Sequence, residues 1–306
     1  MTQTNTPTSF VDRSCPICDS REAKQFAAAN FDLSRLDTFG FASRKLPEFM
    51  HYRLAECKAC DLIFSSPAPS PESLQQAYHD ASFDTSKESE YAAQTYGRYV
   101  KRFVPKLAGC DGALDIGTGD GAFLKQLLSL GFSGVQGIEP SAAPVNAADP
   151  EVRPLIRHAS FVASDFQPEQ FRLVTCFQTL EHVFEPLQLC RDVYRITKPG
   201  GAFFTVCHNR RSLLSTLLRT KSPIFDIEHL QLFSPASAKA LLERAGFKRV
   251  EVFYVVNRYP VSYWAKLIPA PLPAKQVLLK LLHSTGVGKI NLAAPAGNLA
   301  AIAYRE

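Results

Sequence analysis

No run in this 306-residue sequence approaches the roughly 18 consecutive apolar residues that suggest a membrane-spanning helix. The longest apolar-rich stretch, Ile290 to Tyr304, is broken by Asn291, Pro295, Gly297 and Asn298. The opening MTQTNTPTSFVDRS lacks the apolar segment of a secretory leader, so a cytoplasmic location is expected. There is no block of about five or six like charges. The 34 Lys plus Arg against 29 Asp plus Glu leave a formal charge of only +5. Without a basic patch interleaved with aromatics, nucleic acid is not an expected partner. A hydrophobic share of 46% with 21% charged residues excludes a disordered or fibrous chain. The length fits about two domains.

Eight cysteines remain to be explained, and a reducing compartment argues against disulfides. Cys110, Cys176, Cys190 and Cys207 are scattered among apolar neighbours. The other four form two C-x-x-C pairs, Cys15 with Cys18 and Cys57 with Cys60. Each pair puts two sulfurs on one tight turn, and two such turns supply the closed thiolate shell of structural zinc. The segment between the pairs has to loop out and return. These features predict a zinc-binding module and linker over residues 1–85 and a second domain over 86–306.

From Gly112 the pattern becomes strand, glycine turn, helix: Ala113 to Ile116, then Gly117-Thr118-Gly119-Asp120-Gly121, then an apolar helical face ending at Gly131. A second strand closes on Glu139. Strands alternating with helices predict a parallel sheet covered on both faces. The glycines allow a ligand to lie close to the backbone. Glu139 would meet a ribose diol, so a nucleoside cofactor is expected over the ends of the first two strands. GTGDGA alone leaves a dinucleotide open. Asp115, just before the glycines, suits a cationic group. A third strand is expected at Phe161 to Ala163, after which Asp165 and Phe166 would offer an acceptor and an apolar face to adenine. A fourth strand, Phe171 to Phe177, precedes Gln178-Thr-Leu-Glu-His182.

LDIGTGDGAFL, IEPS, ASDF, FRLVTCFQTLEHVFEP and KPGGAFF, in this order over residues 88 to 256, resemble the motifs of class I S-adenosylmethionine-dependent methyltransferases. The resemblance implies an α/β fold with a seven-stranded Rossmann-like sheet, order 3-2-1-4-5-7-6, the last strand antiparallel. It implies that Asp115, Gly117, Thr118, Gly119 and Gly121 hold the methionine part of the cofactor. Glu139 would hold the ribose and Asp165 and Phe166 the adenine, while Phe177 and Gln178 would line the sulfonium end. The pattern C-x-x-C…C-x-x-C-D-L-I-F…P-x-P…Y is similar to the zinc module of sugar C-methyltransferases and related glycan-modifying enzymes. The implied reaction is O- or C-methylation of a sugar or glycan intermediate. A quinone, polyketide or lipid head group is the alternative acceptor, and a non-catalytic scaffold the alternative to an enzyme.

Two inserts, 208–232 and 258–297, are expected to cap the acceptor. The base for a hydroxyl or carbon acceptor is sought first at His182, then at His229 and His208, with Glu228 beside them. No second metal constellation is apparent, and no metal-assisted mechanism is expected. The helix Lys275 to His283 is read first as packed on the sheet or on another subunit, and alternatively as a membrane-surface element over 261–283.

Overall fold

The computed structural model of the chain describes residues 9–32, 41, 48–79, 81, 83, 88–268 and 270–306. Residues 80, 82 and 84–87 of the expected domain boundary lie outside these. The N-terminal part contains β1 (Phe10–Val11), β2 (Ala23–Ala27), β3 (Leu54–Cys57), β4 (Ile63–Ser65), β5 (Ala68–Pro69) and α1 (Pro71–His79). The long excursion between the cysteine pairs does return: β2 and β3 pair antiparallel with Ala23 opposite Cys57, and β4 continues the sheet.

Next comes α2 (Glu88–Phe103), with Glu88 and Glu90 in its first turn and Lys101 and Arg102 in its last, charges that complement the helix dipole. Then follow β6 (Asp111–Ile116), α3 (Ala122–Ser129), β7 (Ser133–Glu139), α4 (Ala142–Ala147), β8 (Ile156–His158), β9 (Phe171–Phe177), α5 (Pro186–Ile196) and β10 (Thr197–His208). After α6 (Leu213–Leu218) and β11 (Gln231–Leu232), α7 (Pro235–Arg244) starts with Ser234 and Ser237 in a reciprocal capping box and Pro235 in its first turn. The chain closes with β12 (Arg249–Pro260), α8 (Val261–Leu267), α9 (Leu272–Ser284) and β13 (Asn291–Tyr304).

The central sheet has the order β12-β13-β10-β9-β6-β7-β8. Strands β6 to β10 are parallel, and β13 lies antiparallel between β10 and β12. One apolar layer packs α5 and α7 on the sheet, with Cys176, Cys190 and Cys207 in it as plain core residues. The other packs α2 and α3 around Tyr96, Leu124 and Phe204.

Three expectations need correction. The third strand is Ile156–His158, with Glu139 opposite His158. The run at Phe161 leads instead into a single 3-10 turn over Ala163–Asp165. The edge strand escaped notice because Arg157 and His158 read as polar. Second, the expected insert 258–297 is partly sheet: β12 and β13 continue as a two-stranded ribbon as far as Pro260 opposite Asn291, so only residues 261–290 leave it. Third, α9 is not packed into the sheet, since none of its described side chains is buried.

The N-terminal module and the second domain share structure. Strand β11, from the first insert, pairs with β4 of the module. The Arg13 guanidinium donates to the carbonyl oxygens of Ser65, Phe184 and Leu230 and to Gln231 Oε1. Arg210, just past β10 and nearly buried, donates to Asp61 and Glu56.

Candidate active site

The parallel strands β6, β7, β9 and β10 end on one edge of the sheet, where an open α/β sheet offers a crevice. A cavity of about 380 Å³ opens there. Its floor is the loop Gly117–Gly121. Gly117, Gly119 and Gly121 all have positive φ, at 74°, 58° and 74°, but their roles differ. A Cβ on Gly117 would strike Thr179, and one on Gly121 would strike Ile156 and Val152, so these two glycines permit close internal packing. A Cβ on Gly119 would meet nothing within 4 Å. Gly119 lines the cavity, and its backbone is open to a ligand.

Two acids flank this loop. Asp115 is buried and accepts from Thr175 Oγ1 at 2.6 Å; burial pushes its carboxyl up to about 7. Glu139 is also buried, with its pKa raised by burial, and its oxygens accept from the amides of Gly119 and Ser141, both at 2.9 Å. The further lone pairs of that carboxylate are available to hydroxyl donors. Phe177 and Gln178 line the cavity. The Phe177 ring packs against Tyr96, Phe123 and Phe204, while Gln178 takes a φ of 49° and its amide donates to Val206. Asp165 and Phe166, expected at the adenine, do not line this cavity. Asp165 pairs with Arg157 at 2.6 Å, and Phe166 is buried between Phe161 and Phe171, because the 3-10 turn carries both away from the strand ends.

The three candidate histidines are brought together. The His229 ring lies 4.9 Å from that of His182 and 5.0 Å from that of His208. His182 Nδ1 is 3.1 Å from the Glu228 carbonyl oxygen and 2.9 Å from Tyr78 Oη, while His229 Nδ1 is 2.8 Å from the Ile224 carbonyl. A carbonyl only accepts, so we assign the proton of each ring to Nδ1, which leaves a lone pair on each Nε2. Burial and the nearby Glu228 hold the Tyr78 phenol well above its usual range, so it stays neutral. Glu181, beside His182, is buried; burial raises it to about 6, and it accepts from the His208 amide at 2.6 Å. This bond ties Glu181 to the end of β10. Contrary to expectation, a second group of metal-type donors does exist: ligand atoms of His182, Glu228 and His229 lie within 4.8 Å of one another. Such a triad can pass a proton or hold a cation.

Tyr78 went unassigned in the sequence, although it is the closing tyrosine of the N-terminal pattern. It reaches the site because the module docks on the first insert, a long-range packing that local sequence does not reveal.

The four cysteines cluster away from this cavity. Cys15 and Cys60 have sulfurs 3.4 Å apart, Cys18 and Cys57 3.5 Å, and all four lie within 4.8 Å of one another. Sulfurs tetrahedrally placed about 2.3 Å from one ion would be separated by about 3.8 Å. The two turns are built alike. The Asp19 amide donates to the Cys15 carbonyl and the Asp61 amide to the Cys57 carbonyl; Asp19 and Asp61 both have positive φ. The donor set and its spacing fit a single zinc.

The methyltransferase domain family matches residues 89–252, from the start of α2 into β12 and through every element that builds the cavity floor. The chain belongs to this family. It carries a methyltransferase domain, and the glycine loop with Asp115 and Glu139 would fit the nucleoside part of a methyl-donating cofactor. Among its relatives, the "Ubiquinone biosynthesis O-methyltransferase" of Pseudomonas putida (strain W619) is 33% identical over 116 residues, covering 34% of this chain and 48% of that protein. The protein of the same name from Pseudomonas entomophila (strain L48) is 34% identical over the same shares. The methyltransferase thus spans about half the length of these relatives. Similar solved structures include a SAM-dependent methyltransferase from Archaeoglobus fulgidus, with a TM-score of 0.48 and 18% identity over 71% of this chain and 96% of that one. Another comes from Aquifex aeolicus, with a TM-score of 0.44 and 16% identity over 78% of this chain and 99% of that one. No helix among the described residues is long and apolar enough to cross a membrane.

Proposed function

We propose that the methyltransferase alkylates a hydroxyl of a small-molecule acceptor, with His182 accepting the proton and His229 beside it. The observation that carries this reading is the setting of His182: it lines the cavity with its Nδ1 committed to a backbone carbonyl, so Nε2 is free to act as base. When bound, S-adenosylmethionine supplies the activated methyl group. Asp115 and the Gly117–Gly121 loop would hold its methionine part, Glu139 its ribose, and Phe177 and Gln178 would border its sulfonium. Asp165 and Phe166 are not retained as adenine contacts. The relatives named for ubiquinone biosynthesis support a quinone-type phenolic acceptor, and the aromatic lining, with Phe41, Phe83, Tyr96 and Tyr263, suits a flat ring. A sugar hydroxyl is the second reading, favoured by the four-cysteine module. That module would hold one structural zinc at Cys15, Cys18, Cys57 and Cys60. Its role would be to keep Tyr78 against His182.

Methyl-transfer assays with hydroxylated quinone-pathway rings against activated sugars test the acceptor: turnover of the first alone supports the phenolic reading, and of the second alone replaces it. Added Mg²⁺ or Mn²⁺ should leave the rate unchanged; a divalent requirement would move His182, Glu228 and His229 from proton handling to metal ligation.

Two predictions concern the cofactor. Glu139→Ala should weaken S-adenosylhomocysteine binding at least about tenfold by calorimetry, as hydrogen bonds to a charged group are lost; unchanged affinity would refute the ribose role. The second is a pH effect. In the folded protein burial raises Asp115 to about 7, above its unfolded value of 3.8. Its protonated form therefore stabilises the fold below the unfolded value, and that contribution is lost as pH rises through about 7. A cationic cofactor group favours the carboxylate, so affinity should climb as pH rises through the same window. Asp115→Asn should raise the melting temperature at pH 8, the charged form there costing about 2–4 kcal/mol, while binding weakens. A lower melting temperature at pH 8 would contradict this account.

A further inference from the structure

Helix α9 carries Val277, Leu278, Leu279, Leu281 and Leu282, yet none of its described residues is buried. A 13-residue helix is marginal alone in water, and one this apolar normally meets a nonpolar partner. Val277 is 67% exposed and Leu281 59%, one turn apart on the outward face beside Lys280. Ile268, Val287, Ile290 and Leu292 extend the exposed apolar surface. The first insert repeats the theme on α6, where Leu213 is 77% and Leu217 71% exposed.

The charge on these segments is of one sign. Between Glu251 and Glu306 there is no Asp or Glu, nor any between His208 and Asp226. Lys266 pairs with Glu88, and Arg210 and Arg211 with Glu56 and Asp61. Arg219, Lys221, Arg258, Lys275, Lys280 and Lys289 form no ion pair among the described residues. Where the ribbon meets α2, Arg98, Arg102 and Arg258 line one pocket with Asn291.

Topology brings the two inserts to the cavity. Strands β10 and β12 are each antiparallel to β13, so they run the same way and both inserts leave the sheet at the edge where the cavity opens. Glu228 and His229 from one insert and Tyr263 from the other line it.

We propose that this face docks on an anionic phospholipid surface, with α9 and α6 at headgroup depth and the unpaired cations on lipid phosphates. A second copy is the poorer occupant, since a two-fold contact would set Lys280 and its neighbours against their own like charges. Docking would present the cavity mouth to an amphiphilic acceptor held in the bilayer. This last step rests on the acceptor reading above; the docking does not.

The test is co-sedimentation of the 306-residue protein with phosphatidylcholine vesicles with or without one-third phosphatidylglycerol. Binding is expected only to the anionic vesicles and should fall steeply with salt. Lys280→Gln with Lys289→Gln removes two cations, each worth about fivefold in partitioning, so affinity should drop about 25-fold. Val277→Asp with Leu281→Asp should abolish pelleting. These exposed positions lie outside the cofactor site, so S-adenosylhomocysteine affinity should be unchanged in both variants, and that measurement keeps a docking failure separate from a failure of the methyltransferase reading. Wild-type protein that ignores anionic vesicles, or variants that pellet like wild type, would overturn the proposal. So would a concentration-dependent dimer, seen by light scattering, that Val277→Asp with Leu281→Asp dissolves.

Discussion

On the proposed zinc assignment, a Cys57→Ser variant is expected to lose bound zinc and at least about a hundredfold in methyl-transfer rate. Structural zinc supplies about 10–16 kcal/mol of apparent folding free energy to small modules, comparable to the whole stability of a typical domain, about 5–15 kcal/mol. The module's own strands are short, with five, four and three residues in β2, β3 and β4, and beyond the cysteines it leans on the second domain through β11, Arg13 and Arg210. Cys57 ends β3, so the loss propagates into the strand that pairs with both β2 and β4. It then reaches β11 through β4, and Tyr78 through the chain that leads into α1. Metal analysis and activity are read together. A full complement of zinc would contradict the ligand assignment, and zinc loss with an unchanged rate would contradict the module's role at the site. Tyr78→Phe separates the two effects: it leaves the four cysteines in place and should lose about tenfold in rate, because only the phenol's contacts to His182 and to the Glu228 carbonyl are removed.

What the sequence made legible was local chemistry. The two C-x-x-C turns, the glycine loop with Asp115 and Glu139, and the Ser234 cap are each written in a few consecutive residues, and the structure puts each on the element expected of it. The histidines were recognisable by residue type and by place, His182 and His208 after strand ends and His229 in the first insert. Their convergence was not, since it depends on an insert folding back so that the Leu230 and Gln231 amides reach the Glu181 carbonyl. The misplaced third strand has a simple cause. Residues 156–158 form an edge strand whose identity comes from pairing with β7, while the more apolar Phe161 packs against the core from the loop before the 3-10 turn. The union of the module with the first insert was hidden for the same reason: β11 has two residues, and its partner lies in another part of the chain. The ribbon of β12 and β13 extended the sheet into residues expected to belong to the second insert.

Replacing His182 by Gln should reduce kcat by about two to four orders of magnitude, the range general-base catalysis contributes. S-adenosylhomocysteine affinity should stay within about twofold, because the hydrogen bonds of the His182 ring go to Tyr78 and the Glu228 carbonyl, not to Glu139 or the glycine loop. Glutamine can still donate to the Glu228 carbonyl, so the local hydrogen bond is kept while the lone pair of Nε2 is lost. The deficit thus reports the proton acceptor rather than the wall of the cavity. His229→Gln is expected to cost less: its ring lies against both His182 and His208, and its Nε2 is 3.8 Å from Glu228 Oε1, an arrangement that supports charge on a neighbouring imidazole. The pH profile supplies the check a structural role would not move. Wild-type kcat should fall at acid pH as the base becomes protonated, and this limb should vanish in His182→Gln. If the variant keeps both its rate and that limb, the proton leaves by another route, and His229 or His208 becomes the base to test.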